Sequence, residues 1–278
     1  MATTGPWLDA LRRTHIIEPI NQHPLETGQN GMRLGQDIDW IFRNALGGGQ
    51  ASFDDPVAPL TPRDRVMLYA LLLQKGHVGE LVHAFGQMIR DPSHLNGATV
   101  LDIGCGPFTS GLALAHVGGV QAAFRYFGVD TSAAMCALGA ELAQGAKEVG
   151  GLHQQAVIEF HAATDAINFG PARGGWTIVI LSYLLASPTI DVEVLARQIV
   201  NACNRIGPGP VTLLYTNTTR PGAGTTFPDF RDRLLAAGFT LHIDEREVLT
   251  VDGKQRNIHY ALFHRLVPPP IPLTAFQP

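Results

Sequence analysis

The chain has 278 residues, of which 45% are hydrophobic and 16% charged, and its formal net charge at neutral pH is −4. This balance lacks the clustered positive charge typical of proteins that bind nucleic acid non-specifically. The amino-terminal stretch MATTGPWLDALRRTH lacks the apolar run of a signal peptide, and no apolar stretch has the length of a membrane span. The three cysteines are scattered without a CxxC pair, which favours reduced thiols over disulfides or a zinc site. We therefore expect a soluble cytoplasmic protein without a metal centre.

Residues 1–60 show little hydrophobic periodicity and contain many turn-forming residues. Large apolar side chains such as Trp7, Ile16 and Trp40 nevertheless indicate that parts of this segment pack against the rest of the protein. The glycine triplet Gly47–Gly49 predicts a loop.

A strongly helical pattern follows in LTPRDRVMLYALLLQKGHVGELVHAFGQMIRDP. Thr61 is the expected N-cap, Pro62 suits the first helical position, and Asp64 lies where the helix dipole favours an anion. The tripeptide KGH at 75–77 predicts a division into two helices. Residues 1–97 are thus expected to form a largely helical segment that covers a substrate.

From residue 99 onward, strand and helix patterns alternate. The predicted strands are TVLDI, FRYFGVD, AVIEFHA, WTIVILSYLL and VTLLYTN, followed by TLHIDEREVLT and RNIHYALFHRL. Asp252 and Gly253 between the last two predict a tight hairpin. Near-continuous apolar strands joined by helices predict an α/β fold: a doubly wound, mostly parallel seven-stranded sheet with a C-terminal antiparallel hairpin. Residues 268–278 have the composition of a proline-rich tail.

The stretch TVLDIGCGPFTSGLALA, Thr99 to Ala115, has the pattern of a strand, a glycine turn and the start of a helix. In a doubly wound sheet, ligands bind beyond the carboxyl ends of the strands, where this turn is expected. Gly104 and Gly106 match the first two glycines of the dinucleotide-binding fingerprint, but Thr109 stands at the third. A carboxylate at Asp102 would repel a pyrophosphate and attract a cation. The turn therefore predicts a positively charged ligand without a phosphate.

Three motifs resemble those of the class I S-adenosylmethionine (SAM)-dependent methyltransferases. VLDIGCGP is similar to the first motif of that family, GVDTSAAM to the second, and HAATDA to the segment after the third strand. The motifs occur in the family's order, each at the end of its expected strand, over about residues 98–267. The resemblance implies a SAM-binding methyltransferase domain there, with S-adenosylhomocysteine as the second product.

The resemblance also implies a set of cofactor contacts. Asp102 and the two following glycines would hold the methionine portion, and Asp130 would accept hydrogen bonds from both ribose hydroxyls. Asp165 and its neighbouring alanine would meet the adenine, while Leu181 and Ser182 would line the floor near the methyl group. The whole cofactor-binding set comprises Asp102, Gly104, Gly106, Asp130, Thr131, Asp165, Ala166, Leu181 and Ser182.

Two positions depart from the family pattern. Phe108 replaces a glycine common in the first motif, so its ring is expected to tighten the turn or form a wall of the site. Thr177 stands where the fourth strand often begins with an acidic residue. The carboxylates also have a structural interpretation, because Asp102 could cap a turn and Asp130 could cap the following helix. Cys105 is interpreted as a small turn residue, since no base is placed beside it by sequence.

Methyl transfer from a sulfonium is an in-line displacement, in which positioning alone can supply roughly 7–11 kcal/mol. A general base is needed only where the acceptor must first lose a proton. The candidate catalytic residues are Tyr183 and Asn217, at the ends of the fourth and fifth predicted strands of the domain, and Tyr69, on the helical cover. Packing of the tyrosine rings is the structural alternative.

The residues at the end of the fourth predicted strand narrow the acceptor class. LSYLLASP lacks the tetrapeptide of the amino-methylating DNA and protein enzymes, and a weakly acidic chain with a helical cover favours a small-molecule acceptor. One alternative is methylation of rRNA or protein, and another is a scaffold or regulatory protein that binds SAM without catalysis. Methylation of rRNA or protein predicts that five arginines share one face: Arg231, Arg233, Arg246, Arg256 and Arg265.

Overall fold

The computed structural model describes residues 5–187, 189–220 and 222–266. Their strands are β1 (Met32–Arg33), β2 (Gln36–Asp37), β3 (Thr99–Ile103), β4 (Arg125–Val129), β5 (Val157–His161), β6 (Thr177–Ser182), β7 (Val211–Thr218), β8 (Thr240–Val251) and β9 (Lys254–Arg265). β1 and β2 pair as a short antiparallel ribbon. The proline-rich tail predicted at 268–278 lies outside the described residues.

Within the described residues, the other seven strands form one sheet in the order β5-β4-β3-β6-β7-β9-β8. The first five run parallel, and β9 is inserted antiparallel between β7 and β8. The strand order reverses beside β3, which creates the crevice where ligands bind in such sheets. The β8–β9 turn has positive φ at both Asp252 (49°) and Gly253 (75°), as the predicted tight hairpin requires. The predicted doubly wound fold is confirmed.

Helices cover both faces of this sheet. They are α1 (Pro6–Arg12), α2 (Glu18–Asn21), α3 (Ile38–Trp40), α4 (Pro62–Tyr69), α5 (Lys75–Met88), α6 (Thr109–Gly118), α7 (Ala133–Glu148), α8 (Val192–Ile206) and α9 (Phe227–Ala236). One core cluster joins the sheet to α4–α7 and the amino-terminal segment, and a second joins the opposite face to α8 and α9. No helix among the described residues is both long and apolar enough to cross a bilayer.

α4 and α5 form one continuous helix, joined by the π-helical turn Ala70–Gln74. The predicted cap is present, because the Thr61 hydroxyl accepts from the Asp64 backbone in a capping box. The predicted division at 75–77 is wrong. Gly76 continues the helix, and a Cβ there would collide with the Arg256 guanidinium, so this glycine serves close packing rather than a break.

The amino-terminal segment contains a helix that its sequence pattern does not predict. α1 and α2 are joined through the π-helical turn Arg13–Ile17. Ile16 is fully buried, as expected from its apolar character. Buried Arg12 donates to the Ala70 carbonyl (3.0 Å) and to the Gln74 side chain (3.3 Å). These bonds tie the segment to the α4–α5 helix.

Candidate active site

The glycine turn after β3 is held in a left-handed conformation. Gly104, Gly106 and Phe108 have φ of 74°, 52° and 64°. The Gly106 amide donates to Asp130 Oδ2 (2.9 Å), and the Ser132 amide donates to Asp130 Oδ1 (2.9 Å). Because β3 and β4 are parallel neighbours, their carboxyl ends bring the glycine turn and Asp130 together.

Phe108 has a backbone conformation that favours glycine. Its φ lies in the left-handed region, which disfavours a residue with a Cβ. The ring is fully buried and packs edge-on against Tyr126 (4.9 Å between centroids) and Phe160 (5.9 Å). It also occupies the space that Gly111 leaves free on α6. Burial of this ring offsets the backbone strain, so the turn keeps its shape without a third glycine.

Asp102 does not border a cleft. Its side chain is fully buried, and the Tyr126 hydroxyl donates to Oδ2 (2.5 Å). Burial raises the pKa of Asp102 to about 7, against the lowering effect of hydrogen bonds from Tyr126 and Ser110. Alternate strand residues point to opposite faces, and Asp102 projects with Val100 into the core beneath α6. Asp102 Oδ1 has no hydrogen-bond partner among the described residues, and the expected part of Asp102 in holding the methionine portion stays a prediction.

The residues predicted to meet the ribose and adenine lie at the carboxyl ends of adjacent strands. Thr131 is exposed directly after Asp130, and Asp165 and Ala166 are exposed in a short 3-10 turn after β5. The Asp130 amide donates to the His161 carbonyl (3.0 Å), which joins the two strand ends. The cofactor contacts of these residues stay predictions.

Two predicted residues face away from the expected site. Leu181 is fully buried in the core against α8, because it points to the opposite sheet face from its neighbour Ser182. Asn217 is fully buried on the same β7 face as Tyr215, on the side covered by α9. These positions do not favour a floor at Leu181 or an acceptor contact at Asn217, and both roles stay predictions. Ser182 is half-buried and accepts a hydrogen bond from the Thr216 hydroxyl (3.0 Å).

A cavity of about 380 Å³ lies between three parts of the chain. Its walls come from residues 42–50, from the α4–α5 helix, and from the ends of β7 and β9 together with the turn after β6. Tyr69 and Tyr183 both line this cavity, so the structure brings together two of the three predicted catalytic residues.

A polar network connects the two tyrosines. The His77 ring stacks on Tyr183 with 4.1 Å between centroids, and His77 Nδ1 is 3.5 Å from the Tyr69 hydroxyl. The Tyr183 hydroxyl donates to Glu80 Oε2 (2.8 Å). Arg256 donates to the other Glu80 oxygen (3.2 Å). Both oxygens of this buried carboxylate are thus engaged.

Burial sets the protonation of this network. It lowers the pKa of His77 to about 3, with a smaller effect of the Arg256 charge in the same direction. Burial also raises the pKa of both Tyr69 and Tyr183, and nearby carboxylates reinforce the shift. Desolvation raises the pKa of Glu80, against hydrogen bonds from Tyr183 and Arg256. At neutral pH the cavity therefore presents a neutral imidazole and two protonated phenols.

Several contacts at the site have no signal in the sequence. Asp54 caps α7 from outside the helix, accepting from the Ser132 hydroxyl (2.8 Å) and from the next two backbone amides (2.9 Å each). The Gln74 side chain donates to the Pro107 carbonyl (2.8 Å) in the glycine turn. Leu184 packs against the turn at Gly104. These partners are too distant along the chain for local patterns to reveal them.

Three of the five arginines that methylation of rRNA or protein would place on one face are paired with acidic residues. Within the described residues, Arg256 bonds to Glu80 in the cavity, Arg231 pairs with its neighbour Asp232, and Arg233 pairs with a glutamate of α8. This pairing does not favour a basic face.

No family model matches the chain, and no curated protein matches it. Similar solved structures include magnesium protoporphyrin IX methyltransferase from Synechocystis PCC 6803 with bound SAM, at 16% identity, 94% coverage of this chain, 100% of that chain and a TM-score of 0.45. An arsenic(III) SAM methyltransferase from Chlamydomonas reinhardtii matches at 16% identity over 65% of this chain and 67% of that chain, with a TM-score of 0.42. The N-methyltransferase NodS from Bradyrhizobium japonicum matches at 12% identity over 69% of this chain and 96% of that chain, with a TM-score of 0.41. The sheet has the strand order of the class I SAM-dependent methyltransferase fold, and these likenesses concern the fold alone.

Proposed function

We propose that the chain is a SAM-dependent methyltransferase whose acceptor is a small molecule. One observation carries this proposal: the left-handed glycine turn after β3 is hydrogen-bonded to Asp130 at the end of β4, beside the crevice of a doubly wound sheet. The cavity lined by Tyr69 and Tyr183 supplies room for an acceptor, and Leu184, the residue after Tyr183, packs against that turn at Gly104.

The residues at this edge suit a nucleoside. Each oxygen of Asp130 accepts one backbone hydrogen bond and has capacity for a ribose hydroxyl. Glycines at 104 and 106 permit close approach of a ligand to the backbone. A dinucleotide is disfavoured, because Thr109 replaces the third glycine of the fingerprint, which packs the helix closely against the strand. The turn therefore favours SAM over a pyrophosphate-bearing cofactor.

SAM, when bound, supplies a methyl group on a positively charged sulfur. The chain's part in the reaction is to orient the acceptor and exclude water. Tyr183 follows β6 with a left-handed backbone, and its ring is fixed by the stack on His77 and the bond to Glu80. Tyr69 closes the cavity from α4. Asp165 is proposed to meet the adenine from the next strand end.

Calorimetric titration with S-adenosylhomocysteine tests the cofactor. We expect Asp130→Asn to weaken binding at least tenfold. Asp191→Asn is the matched control, because Asp191 accepts the same type of backbone bond at the start of α8 but makes no hydrogen bond to the glycine turn. Its affinity should stay within twofold of the parent. Absence of binding by the parent protein, or equal losses in both variants, would refute the proposed site.

Transfer of a tritiated methyl group from SAM into fractionated cell extract tests the reaction. We expect label in the small-molecule fraction. Label confined to RNA or protein would refute the acceptor class. Tight binding of S-adenosylhomocysteine without any transferred label would instead support a non-catalytic scaffold.

A further inference from the structure

The mouth of the acceptor cavity carries an excess of positive charge. Arg220 and Lys254 line it, and neither has an ion-pair partner among the described residues. Arg256 adds a third positive charge. Glu80, the only acidic residue of the described lining, is bonded to Arg256 and neutralises that charge. The cavity therefore has a net charge of about +2, which attracts an anionic ligand.

The walls of the cavity are aromatic. Phe42 and Tyr69 line it from the helical cover, and the stacked rings of His77 and Tyr183 line it from the side of the sheet. Aromatic rings prefer stacked or edge-on partners, so this lining suits a planar ligand. A volume of about 380 Å³ lies within the range of small-molecule sites.

The cavity offers no side chain suited to removing a proton from the acceptor. The Tyr69 and Tyr183 hydroxyls are held protonated by burial, and Glu80 is engaged on both oxygens. His77 is neutral, but burial makes its imidazole a weak base. The cavity therefore suits an acceptor that attacks without first losing a proton, and its cationic mouth favours an anionic one. A carboxylate meets this condition at neutral pH, whereas an alcohol is neutral and an aliphatic amine is protonated.

From the cationic mouth, the aromatic walls and the engaged polar groups, we infer that the acceptor is an aromatic carboxylic acid methylated on its carboxylate oxygen. This inference rests on the proposed function. The carboxylate oxygen attacks the methyl carbon, the new C–O bond forms as the C–S bond breaks, and the electron pair of that bond stays on sulfur. The products are a methyl ester and S-adenosylhomocysteine. The charges of carboxylate and sulfonium cancel, and no proton is transferred.

Binding of 2-naphthoate and its uncharged analogue 2-naphthamide, measured by calorimetry with S-adenosylhomocysteine present, tests the charge requirement. We expect naphthoate to bind at least tenfold more tightly. Arg220→Gln and Lys254→Gln should each weaken naphthoate about threefold to tenfold and leave naphthamide unchanged, with smaller effects at high salt. Arg246→Gln is the matched control, an exposed arginine of the hairpin outside the cavity lining.

Equal affinity for both probes, no binding of naphthoate, or no effect of the two rim variants would overturn the inference. The bond formed is tested separately, with tritiated SAM and the small-molecule fraction of cell extract. Mild alkali should release the label as methanol, because esters hydrolyse while methyl ethers and methylamines do not. Alkali-stable label would overturn the inference and leave the proposed function standing. Failure to bind S-adenosylhomocysteine would overturn both.

Discussion

The hydrogen bond from Tyr183 to Glu80 gives a measurable test of the cavity. Its donor and acceptor are 2.8 Å apart, and Glu80 is only 1% exposed. A hydrogen bond to a charged group contributes about 1.5–3 kcal/mol, and loss of the donor leaves one Glu80 oxygen unsatisfied. Since Arg256 still binds the other oxygen, we expect Tyr183→Phe to lower the free energy of unfolding by about 2 kcal/mol.

Tyr69→Phe is the matched control in the same cavity. The Tyr69 hydroxyl is 3.5 Å from His77, at the limit of hydrogen bonding and between neutral groups. We expect this substitution to change the free energy of unfolding by less than about 1 kcal/mol. Urea denaturation at pH 7 measures both free energies. An unchanged dependence of the unfolding free energy on urea concentration would show that the compactness of the folded and unfolded states is preserved.

A double-mutant cycle with Glu80→Gln identifies the partner. In that background the acceptor is neutral, so the cost of Tyr183→Phe should fall below about 1 kcal/mol. The reasoning is refuted if Tyr183→Phe costs the same in both backgrounds, or if Tyr69→Phe destabilises the protein as much as Tyr183→Phe does.

Three further substitutions test the cofactor side of the site. The folded pKa of Asp102, about 7, exceeds its unfolded value of about 3.9, so the folded state holds a proton that the unfolded state has released. The free energy of unfolding should therefore fall by at most about 4 kcal/mol as the pH rises from about 4 to 7. Urea titrations at several pH values measure this decline, and Asp102→Asn should make it smaller. Phe108→Ala should lower the free energy of unfolding by about 3–5 kcal/mol, measured by thermal or urea unfolding. Phe108→Gly should be less destabilising by about 1 kcal/mol, because glycine tolerates the left-handed backbone. An alanine variant more stable than the glycine variant would contradict this. Asp54→Ala should cost about 0.5–2 kcal/mol by loss of the cap on α7, whereas Asp55→Ala, whose side chain makes no such bond, should cost less than about 0.5 kcal/mol in the same assay.

The sheet could be predicted because the inner parallel strands β3, β4, β6 and β7 are largely buried on both faces and so form apolar runs between turn signals. The amino-terminal helix could not, since the π-helical turn Arg13–Ile17 shifts the apolar stripe relative to a 3.6-residue repeat. The predicted break at 75–77 failed for another reason. Gly76 and Gly79 leave room for Arg256 and Val251 of the hairpin, and contacts about 170 residues apart leave no trace in a local pattern.

At the site, the backbone features were more predictable than the side-chain directions. The glycine turn and Asp130 follow from strand ends, whose positions the apolar runs mark. Asp102 and Leu181 lie within strands, where residues alternate between faces that are both buried. Nothing local distinguishes the face toward a cleft from the face toward a helix. In the sequence, nothing distinguishes Glu80 from other polar residues on a helix, because its contact with Tyr183 forms only in the folded protein.

The cavity is assembled partly from residues that the resemblance does not cover. Phe42 comes from the amino-terminal segment and His77 from α5, whereas the methyltransferase motifs contribute the glycine turn and Asp130. Gln74, which bonds the turn through the Pro107 carbonyl, couples the two parts. Changes in cover residues that line the cavity without bonding the turn, such as Phe42 and Leu73, can alter which acceptor fits and leave the Gln74 bond to the turn in place. Acceptor choice and cofactor binding should thus separate experimentally, with cover variants changing KM for the acceptor and turn variants changing affinity for S-adenosylhomocysteine.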